Sequence, residues 1–243
     1  MDSKKNKVNI IMINSTESPF QIEISQEFTS TYPGAAVGVL VLENVMIQTV
    51  GSNLETAKRE IILGLHNQFS DQNSLKEHPV IQAYSRYYKK FDKSYHVLGQ
   101  LRSVILENRP LPSVSPLIEA IFAAELKNML LTAFHDLERI NFPLKIGIST
   151  GAETYITLAG DEKRLKPADM MVSDQTGVIS SVIYGPDKRT CVIPLSSRVL
   201  IVVYAPVGID RESIISHFKD IENLIRRLSP QCKVTMRTLF PIS

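Results

Sequence analysis

Seven consecutive apolar residues, Val199-Leu-Ile-Val-Val-Tyr-Ala205, constrain the fold more than any other part of the chain. They are rich in β-branched side chains and show no polar alternation, which is the pattern of a strand covered on both faces. Such a strand is expected to sit centrally in its sheet.

The residues before it divide by period. Between Val8 and Val50, β-branched runs such as Val8-Asn-Ile-Ile-Met-Ile13, alternation in Phe20-Gln-Ile-Glu-Ile24 and the nearly apolar Val37-Gly-Val-Leu-Val-Leu42 predict strands. Tyr32-Pro-Gly34 is a turn signal, because proline fixes its own φ and glycine accepts a positive one. Leu54, Ala57, Ile61 and Leu65 then recur at helical spacing behind Ser52 and Asn53, which can cap free amides. Pro79 suits a first helical turn, and Val80, Ile81, Tyr84, Tyr87, Tyr88 and Phe91 form a broad apolar stripe with Arg86, Lys89, Lys90 and Lys93 largely outside it. Helical spacing continues from Val97 to Leu106, until Pro110-Leu-Pro112 imposes an extended linker. Ser115 and Pro116 supply an N-cap and a first-turn proline for a helix expected to run to about Ala133.

From Pro143 the period falls to two. Leu144, Ile146 and Ile148 share a face, Thr154 to Leu158 precedes the turn Ala159-Gly-Asp161, and Gly185-Pro-Asp187 is expected to join Val178–Tyr184 to Cys191–Ile193 as a hairpin. After the apolar run, Asp210 caps a last helix carrying Ile214, Phe218, Ile221, Ile225 and Leu228, and Cys232 to Phe240 alternates as a closing strand. The order of strands, helices and strands predicts an α+β fold, and 243 residues with 44% hydrophobic side chains suit one domain spanning the whole chain.

Several chemistries find no support. No apolar run approaches the roughly 20 residues of a membrane span, and the Lys-rich start lacks the apolar stretch of a secretory signal, so a cytoplasmic location is expected. Neither GxxxxGK[ST] nor GxGxxG occurs, no serine sits in a GxSxG elbow, and His66, His78, His96, His135 and His217 form no HxH or HExxH pattern. Cys191 and Cys232 make no CxxC pair. Neither a metal nor an organic cofactor is expected. A net charge of +2 does not announce a nucleic-acid partner by itself, but Lys76 to Arg109 holds seven Lys or Arg against three Asp or Glu. Its basic helix can be an ordinary solvated face or a phosphate-binding one, through Arg86, Lys89, Lys90 and Lys93.

One helical position is anomalous. Glu125 falls between Ile121, Phe122 and Met129 on the apolar face, where an ionised carboxylate is costly. It can pair with a cation or reach solvent through a gap, or its raised pKa can make it an acid or base in a cleft. His135 and Asp136 are expected to follow the helix end, His135 on a free carbonyl and Asp136 opening the next turn.

Five segments carry a resemblance: Ser113-Val-Ser-Pro-Leu-Ile118, Ala133-Phe-His-Asp-Leu-Glu-Arg-Ile140, Ser149-Thr-Gly-Ala-Glu-Thr-Tyr155, Leu165-Lys-Pro-Ala-Asp-Met-Met171 and Gly177 to Thr190. In this order they resemble the B-three/B-four domain of the phenylalanyl-tRNA synthetase beta subunit, especially its free-standing bacterial relatives, with the best match over residues 102–208. The resemblance implies a three-layer α+β fold with an unusual β-sandwich of mixed sheets and packed helices, and a pocket that in the synthetase hydrolyses tyrosine wrongly joined to tRNA. It implies tRNA or aminoacyl-tRNA as partner, and possible ester hydrolysis in trans by His135, with Asp136 beside it and Glu125 as the alternative base. Thr132, Ser180, Ser181 and Tyr184 would line the same cleft. The pattern also departs from the family: Ala120, Ile121 and Phe122 stand near a Thr-Asn pair, and Ile201 to Val203 stand where the editing glutamate falls. A non-catalytic protein that binds an amino acid or metabolite in that pocket is therefore the alternative.

Overall fold

The structure is a computed structural model that describes residues 20–46, 52–111 and 114–241. The expected strand Val8–Ile13, the capping side chains of Ser52 and Asn53, and the end of the Pro110–Pro112 linker lie outside the described residues.

In chain order the elements are β1 (Ile22–Ile24), α1 (Gln26–Thr31), β2 (Ala36–Glu43), α2 (Ser52–Gln68), α3 (Gln72–Glu77), α4 (Pro79–Lys89), α5 (His96–Ile105) and α6 (Pro116–Asn128). There follow β3 (Thr132–Asp136), β4 (Leu144–Ile148), β5 (Thr154–Ile156), β6 (Glu162–Arg164), β7 (Met170–Ser173), β8 (Val178–Ser181), β9 (Gly185–Pro186), β10 (Arg198–Ala205), α7 (Arg211–Leu228) and β11 (Lys233–Phe240). The fold is α+β, as its sequence periods predict. β10 is the apolar run, and it lies inside a four-stranded antiparallel sheet of order β11-β2-β10-β3. A five-stranded sheet of order β1-β4-β7-β8-β9 is antiparallel except for the parallel pair β1 and β4.

Cross-strand partners share a face, so the pairing register shows what covers β10. Leu200 lies opposite His135 and Val202 opposite Ala133, and on this face the Tyr204 hydroxyl meets Ser180 Oγ of β8 at 2.7 Å. The five-stranded sheet therefore covers one side. On the other, Val203 pairs with Thr132 and with Gly38, and α7 packs there. A Cβ at Gly38 would lie 2.7 Å from both Ile214 and Phe218, so the helix approaches as closely as it does because this position has no side chain. Helices, four-stranded sheet and five-stranded sheet make three layers.

The tyrosine stripe of α4 joins the two sheets. Its apolar residues are buried as expected, and Tyr84, Tyr87 and Tyr88 each carry their hydroxyl to a backbone group. The Tyr84 hydroxyl donates to the Tyr204 carbonyl and accepts from the Leu131 N–H at 2.8 Å. That of Tyr88 donates to the Val182 carbonyl at 2.7 Å, and that of Tyr87 accepts from the Met170 N–H at 2.6 Å. Buried tyrosines find partners in this way because an unmatched hydroxyl is costly.

Three local expectations are corrected. Ser25 caps an additional short helix, α1, directly after β1, its hydroxyl accepting from the Phe28 N–H. The helix begun at Pro116 stops at Asn128 rather than near Ala133, with Met129 left-handed at φ 57°. His135 therefore stands in β3 and not after a helix end, while Asp136 does open the next turn by accepting from the Glu138 N–H at 3.0 Å. Finally, the chain reverses at Val182 to Tyr184 and not at Gly185 to Asp187, so β8 pairs with the short β9 and Cys191–Ile193 is no strand. The Ser181 hydroxyl and the Asp169 carboxylate, which accept from the N–H groups of Tyr184 and Ile183, hold that reversal.

Candidate functional site

The residues singled out from sequence fall into three buried polar clusters and one exposed face. The first fills the turn from α6 into β3. Backbone groups of Met129, Leu131 and Thr132 there are taken up by side chains. The Tyr95 hydroxyl donates to the Met129 carbonyl at 2.9 Å, Tyr84 accepts from Leu131, and Glu125 Oε2 accepts from the Thr132 N–H at 2.8 Å. No cation pairs with Glu125 among the described residues, and its side chain is shut away from solvent. Burial pushes its pKa up to about 8 against the opposing effect of the Thr132 hydrogen bond. Thr132 Oγ1 also lies 2.8 Å from His217 Nε2, in the interior beside α7, where burial pushes the imidazole pKa down to about 3. Sequence reading passed over His217, which its spacing places on the apolar stripe of α7 between Ile214 and Ile221.

The second cluster surrounds His135, which is fully buried. Its Nδ1 lies 2.7 Å from Thr190 Oγ1, and the Thr190 hydroxyl donates to Asp187. Since that hydroxyl has one proton and gives it to a carboxylate, Nδ1 must be the protonated nitrogen and Nε2 the one with the lone pair. Among the described residues Nε2 has no partner, an unusual state for a buried acceptor. Burial, reinforced by the Arg189 cation, pushes the ring pKa down to about 3, so the imidazole is neutral at pH 7. Arg189 itself is clamped by Asp174 through contacts of 2.9 and 3.0 Å. Asp136 accepts from the Ser196 hydroxyl at 2.6 Å and is 3.8 Å from Arg139.

In the third cluster, Ser180 and Ser181 point to opposite sides of β8. Ser180 meets Tyr204, whereas Ser181 Oγ is 3.4 Å from the Tyr155 hydroxyl and accepts from the Tyr184 N–H at 3.2 Å. Asp169 lies beside them, accepting from the Tyr87 hydroxyl at 2.8 Å, with its pKa raised to about 6 by burial. Asp169 was within a motif noted in the sequence, but only the fold shows that it joins α4 to β8. β3 carries Thr132 on its helix face and His135 on the opposite face, so the candidate residues do not line the single cleft expected from sequence.

The exposed face belongs to α4 and the residues after it. Arg86, Lys89, Lys90 and Lys93 are exposed, and among the described residues none pairs with a carboxylate. Lys90 Nζ sits 4.8 Å above the Tyr32 ring, and Arg86 lies against the loop at Gly208. A cavity of about 430 Å³ opens separately between α5 and α6, lined by none of the predicted site residues. No group of His, Cys, Asp and Glu among the described residues could hold a metal, and no described helix is long and apolar enough to cross a membrane.

Together these features define an α+β protein of three layers with polar clusters sealed between them. The architecture is similar to that of an N-terminal fragment of the phenylalanyl-tRNA synthetase beta subunit from Pyrococcus horikoshii, with a TM-score of 0.50 and 10% sequence identity. The likeness covers 93% of this chain and 55% of that fragment, so the chain spans about half the length of the structure it matches. No protein-family model and no curated protein matches the chain.

Proposed function

We propose that the protein is a tRNA-linked, RNA-binding module of the B-three/B-four type that meets the phosphate backbone with the basic face of α4. The observation that carries this reading is a row of four exposed cations, Arg86, Lys89, Lys90 and Lys93, free of carboxylate partners among the described residues. Cations already neutralised by neighbours would release no counterions on binding RNA, whereas unpaired ones do. α4, which carries Arg86 and Lys89 and leads into Lys90 and Lys93, is seated by its tyrosine hydroxyls, which lowers the ordering cost of association. The likeness to a synthetase fragment supports the choice of tRNA over other nucleic acids.

Hydrolysis of misacylated tRNA in trans is the finer part of the proposal. Here the unpartnered Nε2 of His135 is the acceptor for a proton from water, the Thr190–Asp187 pair holds the tautomer, and Asp136 lies next along β3. Glu125 is the alternative base, with Thr132 as the proposed substrate contact beside it on the helix face of β3, and Ser180, Ser181 and Tyr184 are the proposed contacts on the other side of that strand.

The test is a tRNA titration at several salt concentrations with the full chain and with Arg86, Lys89, Lys90 and Lys93 all changed to Gln. The variant is expected to bind about 10- to 100-fold more weakly at moderate salt and to flatten the log–log salt slope by about three. Equal slopes would remove α4 from the footprint. No tRNA binding by the unmodified chain would shift the assignment to the non-catalytic amino-acid or metabolite binder.

A panel of mischarged tRNAs tests the chemistry. His135→Asn, which keeps a donor for Thr190 and removes the basic lone pair, should lower the deacylation rate by about 10²-fold or more with little loss of affinity. An unchanged rate would exclude His135.

A further inference from the structure

The cavity between α5 and α6 has an apolar floor made by Leu111, Phe122 and Leu126, with Ser103 and Arg109 among the polar residues that line it. About 430 Å³ is within the range of small-molecule sites, and helix–helix clefts are a common place for them. Among the described residues its lining includes no carboxylate, and Arg109 is the one permanently charged group. Glu107 engages Arg109 through Nε at 3.0 Å, which leaves the terminal Nη donors uncommitted.

Gly99 gives an independent sign that the space is kept open. It stands within α5, where glycine weakens a helix relative to alanine, and a Cβ there would meet nothing within 4 Å. Neither a turn nor a tight approach requires it. What its missing side chain leaves is room at the lining of the cavity.

From the apolar floor, the single cation and the open glycine, we propose that this cavity binds a small amphipathic carboxylate, with the hydrocarbon against Leu111, Phe122 and Leu126 and the carboxylate at Arg109. None of the lining residues belongs to the proposed hydrolytic site or to the basic face, and the proposal stands whether or not α4 binds RNA.

Calorimetric titration and thermal unfolding of the full chain with decanoate, 3-phenylpropanoate and decanamide provide the test. At least one of the two acids is expected to bind saturably and raise the melting temperature, and the acid that binds shows whether the tail is linear or aromatic. Arg109→Gln should weaken that acid about tenfold, as should replacing decanoate by decanamide if the linear tail is preferred. Gly99→Leu should abolish binding while leaving the melting temperature unchanged or higher, because leucine favours the helix and fills free space. If Gly99→Leu fails to fold, Gly99→Ala gives the same reading through a smaller loss of affinity in a more stable protein. Absence of saturable binding by both acids would overturn the proposal, as would binding that is indifferent to Gly99 and Arg109 substitution.

Discussion

Changing Glu125 to Gln is expected to leave the protein more stable than the unaltered chain at pH 8, by on the order of 3 kcal/mol, with most of the difference gone at pH 5. The folded carboxyl titrates at about 8 because it is buried, against 4.5 for the ordinary group. Below the lower value it is neutral in both states, and the stability that it contributes is complete. As pH rises toward 8, the unfolded chain gains by ionising this group and the folded chain does not, so that stability is lost. Glutamine cannot ionise and can still accept from the Thr132 N–H, which in the native protein lies 2.8 Å from Oε2. Urea melts of both proteins at the two pH values read the difference directly. A gap independent of pH would show that Glu125 does not titrate with folding.

Tyr84→Phe, which removes one hydroxyl, is expected to cost about 2–4 kcal/mol. That hydroxyl donates to the Tyr204 carbonyl and accepts from the Leu131 N–H, and both groups would be left buried without a partner. The ring remains, stacked on Tyr95 at 4.2 Å, so lost packing does not confuse the measurement. Chemical denaturation supplies the number, and a loss below about 0.5 kcal/mol would mean that water replaces the hydroxyl.

How much of this could be read beforehand depended on whether a residue acts through its own period or through distant neighbours. β10, the buried stripe of α4, the caps at Ser115 and Asp210 and the closing β11 all follow from local pattern, and all stand in the fold. The overrun of α6 shows the limit. Met129, Leu130 and Ala133 continue the apolar stripe, so spacing alone extends the helix, whereas the turn depends on hydroxyls of Tyr84 and Tyr95, remote in sequence. Glu125 was visible as an anomaly, but its role as an acceptor for the Thr132 N–H required the turn to be known. His135 was misplaced for the same reason, since its partners Thr190 and Asp187 arrive about fifty residues later. His217 lies on a helical stripe already explained by packing, and Asp169 lies in a turn whose partner Tyr87 is remote in sequence, so nothing local marks either as a polar contact.

The position of β2 has a consequence for synthesis. This strand is synthesised long before its partners β10 and β11. Until they emerge, a nascent chain carries an unpaired, almost wholly apolar strand edge, the condition under which strands pair with the wrong neighbour. A chain cut short before Lys233 would expose the outer edge of β2 permanently. The exposure of β2 to mispairing is thus set by strand order alone.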